Sequence, residues 1–384
     1  LRIAINGWFW DQPTTGSGQY TRQMVKGLAA LGQDLEIILI TTEQRQEARV
    51  EKQDNPASCI LHPVPGSRSN LGKVWFEQVT FPRACRRLGA DMAHVPYWAP
   101  PLRPSVSTVV TIHDLIPLLL RKYRGGPLVQ LYTALVSRAA RNAALVLTDS
   151  KASKRDIVTH LKHSADCVRA IHLAPGEAYG PVPTSADANV RTRYNLPPSY
   201  ILYLSGGFDV RKNVAAAIEA YRRAAPTIGA THPLVIAGRL PEQDTAFTPD
   251  PRRLTRERGL DASSVRFTGF VDEADKPALY RSATAFVFPS RYEGFGLPPL
   301  EALACGTPVV GSNTSSIPEV VGDGGILLSP DDIQGMANAL IQLATDADFR
   351  AQLSRCALAQ AANFSWHQTA QETLAAYREV VDQV

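Results

Sequence analysis

Short apolar runs alternate along this chain with stretches in which apolar residues recur every three or four positions. Ile3–Ile5, Leu35–Ile40, the weaker MAHVPY, Ser107–Asp114 and Ala143–Ser150 are too short and too continuous for amphipathic helices, and they read as buried strands. Between them, Tyr20 to Leu31 and the segment from Ala152 onward have helical periodicity, the latter capped by Ser150 or Ser153. Such alternation predicts a parallel sheet with helices on its faces. In sheets of this kind ligands bind beyond the strand ends. Two polar stretches fall there: NGWFWDQPTTGSGQY after the first strand, and His113-Asp114 closing STVVTIHD.

Near Pro175 the pattern breaks. Residues 176–198, within LAPGEAYGPVPTSADANVRTRYNLPP, are rich in Pro, Ala and polar residues and read as a linker. A second α/β series follows, from ILYLSGG and a helix beginning at Asn213 through TAFVFPS, the helix PPLEALACG, TPVVGSN and Gly324–Pro330. The expected architecture is two Rossmann-like α/β domains, 1–175 and 199–364, facing each other across a cleft. Residues 365–384 again show helical spacing, with Trp366, Thr369, Leu374 and Tyr377 as inward positions. That helix packs either on the second domain or back on the first. Leu71 to Gly89 is a basic amphipathic helix candidate, which either packs by Trp75 and Phe76 or rests on anionic lipid.

Composition narrows the class without identifying the chemistry. A length of 384 residues favours two cores over one. With 45% hydrophobic and 20% charged residues, disorder and fibrous classes are excluded. A net charge of +4 does not argue for a nucleic-acid partner, and a local basic pocket for an acidic small molecule fits it equally well. Five scattered cysteines imply a reduced, cytoplasmic protein and form no metal-type pair. His160 and His163 lie close in sequence but have no convincing third ligand, so no metal site is expected. No run of eighteen apolar residues occurs, and Arg2–Ile5 opens the chain as a strand rather than a leader peptide. Contact with the inner face of a membrane remains compatible with this; the oligomeric state is left open.

Four constellations carry candidate chemistry. In SRYEGFGLPPLEALACG, Gly294 and Gly296 permit a tight turn of converging amides around Phe295, Gly296 and Leu297. Pro298 and Pro299 then open a helix whose N-terminus favours phosphate. Glu293 stands just past the strand end, within reach of ligand hydroxyls. Glu301 falls on the first helical turn, where it serves either a ligand or the helix dipole. In SGGFDVRKN, Arg211 and Lys212 follow the Gly206-Gly207 turn and offer two cations to a diphosphate, or else belong to a solvated loop. Gly16 and Gly18 in TTGSGQY form either a phosphate cradle or a plain turn, and no P-loop Lys-Ser or Lys-Thr follows. His113 is either a sugar contact or a structural histidine, and Asp114 either orients it or caps the next element. Trp8 and Trp10 line an acceptor cleft or pack at a core edge, with the cleft favoured.

Together these residues resemble the retaining nucleotide-sugar glycosyltransferases of family 4 (group 1), which have the GT-B fold. The resemblance rests most on Glu293-Gly294-Phe295-Gly296-Leu297 with Glu301, a Glu-x7-Glu pattern. Gly206, Arg211, Lys212, Asn213, Gly16-Ser17-Gly18 and His113-Asp114 support it. It covers nearly the whole chain. Pro299 departs from many relatives, but a first-turn proline is tolerated. The resemblance implies that Glu293 contacts the transferred sugar, Glu301 the ribose, Arg211 and Lys212 the diphosphate, and His113 the sugar near its 6-hydroxyl. The amides of Phe295, Gly296 and Leu297 would meet sugar or phosphate, and Gly16 and Gly18 would let the first domain approach the phosphates. It also implies a donor clamped between domains, no required cofactor or metal, retention of configuration, and a C-terminal helix returning to the first domain. His113-Asp114-Leu115 and Gly311–Val320 look like bacterial mannosyltransferases that use GDP-mannose. The expected activity is transfer of a hexose, with mannose favoured, to a saccharide or glycolipid hydroxyl in polysaccharide biosynthesis. The alternatives are a UDP-glucose-type hexosyltransferase and a non-catalytic nucleotide-sugar-binding scaffold.

Overall fold

The computed structural model describes residues 1–32, 35–42, 59–67 and 69–383. The chain divides into two compact units, Leu1–Leu173 with Ser365–Val384, and Ala174–Phe364.

The first unit is built on a seven-stranded sheet, entirely parallel, in the order β3-β2-β1-β4-β5-β6-β7. Its strands are β1 Arg2–Asn6, β2 Glu36–Thr42, β3 Cys59–Val64, β4 Met92–Val95, β5 Ser107–Thr111, β6 Leu145–Thr148 and β7 Val168–Ala170. The strands β1, β4 and β6 are apolar because both faces of the sheet are covered, so period-two alternation is absent from them. The strand order reverses between β1 and β4. Leu71 to Gly89 is one helical tract with an inserted wide turn: α-helix Asn70–Trp75, π-helix Phe76–Thr80, α-helix Phe81–Arg87.

The C-terminal helix Trp366–Asp382 belongs to this first unit. Thr369, Leu374 and Tyr377 are buried as their spacing predicts, while Trp366 is half-buried. A side chain on Gly27 would press against Ala370, so the helix Gly16–Ala30 lies close against the last helix. Beneath them runs a buried polar chain. Tyr377 Oη meets His94 Nδ1 at 2.5 Å, His94 Nε2 meets Thr111 Oγ1 at 2.8 Å, and Tyr20 Oη meets Thr111 Oγ1 at 3.1 Å. Burial holds the His94 ring neutral, its pKa lowered to about 3.

The second unit has a six-stranded parallel sheet, order β10-β9-β8-β11-β12-β13. Its strands are β8 Ile201–Leu204, β9 Leu234–Ala237, β10 Val265–Gly269, β11 Ala285–Phe288, β12 Val309–Ser312 and β13 Gly325–Leu328. The order reverses between β8 and β11, so SGGFDVRKN and SRYEGFG leave adjacent strands at the switch point. The supposed linker 176–198 is corrected here: it lies within this unit and contains the helix Asp187–Arg193. Asp187 pairs with Arg281 at 2.7 Å, Tyr194 donates to Asp275 at 2.8 Å, and Val190 is buried. Its Pro and Ala content hid these tertiary anchors.

Candidate active site

In the second unit a carboxylate is clamped between two cations. The loop after β8 makes a short 3-10 turn, Val210–Lys212, capped by Asp209, which accepts from the Arg211 amide at 3.2 Å. Asn213 follows at φ 54° and donates to the carbonyls of Pro289 and Pro330, which holds the loop against the end of β11. Arg211 Nη1 then reaches Glu293 Oε2 at 2.7 Å, and Lys212 Nζ reaches Glu293 Oε1 at 2.7 Å. Ser290 Oγ donates to Glu293 Oε1 at 2.6 Å, and the Glu293 amide donates to Ser315 Oγ at 2.9 Å. Burial works against the carboxylate, but Lys212 and Arg211 outweigh it, and its pKa lies below the ordinary value. Both Glu293 oxygens are thus engaged.

Gly296 caps the helix Leu297–Ala304 at φ 115°, and a side chain there would also collide with Ile317. Leu297, Pro298 and Pro299 are its first three residues, so Leu297 supplies the one N–H of those positions. The helix start is therefore a weaker phosphate cradle than the two prolines suggest. The Phe295 ring is buried edge-on against Phe364, leaving its backbone as the ligand-facing candidate.

Glu301 is the fifth residue of this helix, not a first-turn residue, which removes the capping role. It accepts from Tyr280 Oη at 3.0 Å, and burial pushes its carboxyl up to about 7. A buried carboxylate has about four lone-pair sites, so the tyrosines beside it leave acceptor capacity for hydroxyls. Gly206 is exposed, with open space around its Cα.

The first unit holds a separate cluster. His113 follows β5 and Asp149 follows the neighbouring β6. His113 Nδ1 meets Asp149 Oδ2 at 2.7 Å, and Ser153 Oγ donates to the His113 carbonyl at 3.0 Å. Burial opposes the imidazolium, but the Asp149 carboxylate overcomes it, and the ring's pKa lies above its ordinary value. Tyr20 packs against His113 edge to face at 4.9 Å. The orienting carboxylate is thus Asp149, which the motif reading missed. Asp114 instead accepts from the Ile116 amide at 2.9 Å, the capping alternative. The signal for Asp149 was present: TDS ends a strand as IHD does.

One further expectation is corrected. Trp8 and Trp10 do not present rings to an acceptor. Trp8 is 5% exposed and packs on Phe76 at 5.4 Å; Trp10 is 1% exposed under the Arg22 guanidinium. Apolar burial of two indoles outweighs any gain from lining a groove. The loop itself requires glycine at Gly18, because a Cβ there would collide with the carbonyls of Gln12 and Phe9. Its amide donates to the Thr15 cap at 3.1 Å, while Gly16 borders open space.

The two parallel-sheet units have the GT-B fold, two Rossmann-like α/β domains. Residues 199–346 match the family described as Glycosyl transferases group 1, and residues 14–174 match Glycosyltransferase Family 4. O-antigen chain mannosyltransferase B of Escherichia coli is 32% identical over 374 residues, covering 95% of this chain and 96% of that protein. The serotype-specific mannosyltransferase WbdA of Escherichia coli is 36% identical over 267 residues, 68% of this chain but 32% of that longer protein. Among solved structures, sucrose-phosphate synthase from Thermosynechococcus elongatus superposes with a TM-score of 0.75 at 22% identity, over 100% of both chains. Anabaena HepE, solved with UDP and glucose, gives a TM-score of 0.73 at 17% identity, over 98% of this chain and 99% of that one. The chain belongs to glycosyltransferase family 4.

Proposed function

We propose that this glycosyltransferase moves mannose from GDP-mannose to a saccharide or glycolipid hydroxyl, with retention of configuration. The mannosyltransferases among its relatives support the sugar. The observation that carries the chemistry is the Arg211–Glu293–Lys212 clamp at the switch point of the second sheet. As the glycosidic bond breaks, negative charge grows on the leaving diphosphate. Arg211 and Lys212, fixed in place beforehand, stabilise that charge without a metal. The acceptor hydroxyl attacks the anomeric carbon from the face the diphosphate leaves, and its proton passes to the departing phosphate oxygen. Glu293 orients the sugar rather than attacking it. A carboxylate whose two oxygens already accept from Arg211, Lys212 and Ser290 has a depressed pKa and is a weak nucleophile. Glu301 accepts the ribose hydroxyls, and His113, held by Asp149, donates to the sugar.

The test is metal-free calorimetry against GDP, UDP, GDP-mannose and UDP-glucose. Preference for GDP-mannose supports the reading. Preference for UDP-glucose keeps the clamp and replaces the sugar. Folded protein that binds none of the four refutes the donor class and favours a scaffold.

A further inference from the structure

The loop after β12 breaks two local rules, and both departures bear on Glu293. β12 lies beside β11 in the sheet, so the segment Ser312–Ser316 leaves it next to the turn that follows β11. Ser315 has φ 49°, the left-handed region that glycine enters without strain. Ser316 immediately precedes the helix Ile317–Val321, where a serine hydroxyl ordinarily caps the first turn, yet it makes no capping bond. Backbone strain and a forgone cap, with no local gain, mark a site held for function.

The gain lies on the neighbouring loop. Ser315 Oγ accepts from the Glu293 amide at 2.9 Å. Ser316 Oγ, fully buried, donates to the Glu293 carbonyl at 3.0 Å and to the Phe295 carbonyl at 2.5 Å. Ser312 Oγ donates to the Ser290 carbonyl at 2.5 Å, and Ser290 is the residue whose hydroxyl reaches Glu293 Oε1. Both backbone groups of Glu293 are therefore held by consecutive serines. The two carbonyls matter for a second reason. In a planar trans peptide the C=O and N–H point in opposite directions. With the carbonyls of Glu293 and Phe295 turned to Ser316, the N–H groups of Gly294 and Gly296 are turned away from it. Peptides flanking glycine rotate at little steric cost, so the turn's own sequence does not fix these amides.

We propose that Ser315 and Ser316 are positioning residues for transfer. They hold Glu293 and the amides of the Gly294–Gly296 turn in the arrangement the sugar meets, and the strain at Ser315 is retained for that purpose. The inference rests on the reading of Glu293 as the group that faces the sugar. In that reading the diphosphate is held by Arg211 and Lys212, so loosening the turn acts on kcat rather than on donor KM. Ser315→Ala keeps the left-handed backbone and removes the hydroxyl; Ser315→Gly removes hydroxyl and strain together. Since a displacement near 1 Å costs about 10²-fold in rate, kcat should fall about tenfold in both, with donor KM within about twofold. The glycine protein should nevertheless melt above the alanine protein by circular dichroism, which needs no ligand. Ser316→Ala, which releases two carbonyls, should lose about 10²-fold in kcat. Transfer is measured from GDP-mannose, or from UDP-glucose where calorimetry prefers it, with Glu293→Gln alongside. A kcat that follows the melting temperature, restored in Ser315→Gly, would make the loop merely structural and overturn the inference. Parental kcat in Ser315→Ala and Ser316→Ala, with Glu293→Gln impaired, would overturn it and leave the reading of Glu293 intact. Parental kcat in Glu293→Gln would refute that reading, and with it any role for the serines in positioning the group.

Discussion

Replacing Glu293 with glutamine should separate ligand binding from turnover. The carboxylate sits 2.7 Å from both Arg211 and Lys212, with all three side chains between 11% and 15% exposed. Glutamine keeps the shape but leaves two cations without their shared counter-ion. Breaking a buried pair costs about 3–5 kcal/mol. The lower end applies here, since Arg211 keeps the Tyr292 carbonyl at 2.8 Å and Asp209 at 3.6 Å. A bound nucleoside diphosphate restores the missing negative charge, so the variant should bind GDP or UDP more tightly than the parent. Recovery of about 1.4 kcal/mol is a tenfold tighter Kd. Turnover should nevertheless fall by about two orders of magnitude, because the group aimed at the sugar has lost its charge. Thermal unfolding with and without nucleotide, calorimetry and a transfer assay report the three quantities. A folded variant with unchanged or weaker diphosphate affinity would refute the assignment of Arg211 and Lys212 to the diphosphate.

Three more outcomes follow from the same geometry. Glu301, pushed to about 7, disfavours its own ionised form, so its contribution to folding is full below the unfolded value near 4.5 and is lost as pH rises through 7. Ribose hydroxyls need the ionised form, so nucleotide affinity should rise between pH 6 and 8 and release a proton, and Glu301→Gln should flatten that profile in calorimetry. Asp149→Asn should lower the pKa of His113 and move the alkaline limb of kcat to lower pH, an effect that mere loosening of the loop would not produce. Tyr377→Phe should cost the first unit about 1–3 kcal/mol by orphaning His94, seen as a lower Tm. Because the His94 pKa is depressed to about 3, its contribution is present above the unfolded value near 6.5 and is lost as pH falls toward 3.

The sequence was most legible where burial made it repetitive. Strands covered on both faces, such as β1, β6, β8, β9 and β11, appear as unbroken apolar runs, and the polar residues after them mark the ligand edge. Edge strand β3, CILHPV, carries His62 and Pro63 and is mostly half-buried, so it has no such run. The helix Pro127–Ala140 went unassigned because its outward Leu128 and Leu131 blur the period that betrays other helices. Glu293, Arg211 and Lys212 were legible as a set because strand-end spacing placed them. Their pairing with one another was not, since it depends on how β8 and β11 lie side by side. Asp149 was missed for the same reason: its link to His113 crosses between strands. Trp8 and Trp10 were misread because an aromatic pair suits a groove or a core equally well, and the chain beside it does not say which.

The central claim is that the clamp supports retaining mannosyl transfer. NMR of the product from GDP-mannose labelled at the anomeric carbon, with a mannose-terminated oligosaccharide as acceptor and no metal, tests it most directly. The account predicts a new α-mannoside from the α-linked donor, lost in the Glu293→Gln protein. A β-mannoside, or no transfer by folded enzyme that binds the donor across a panel of saccharide and glycolipid acceptors, would contradict it.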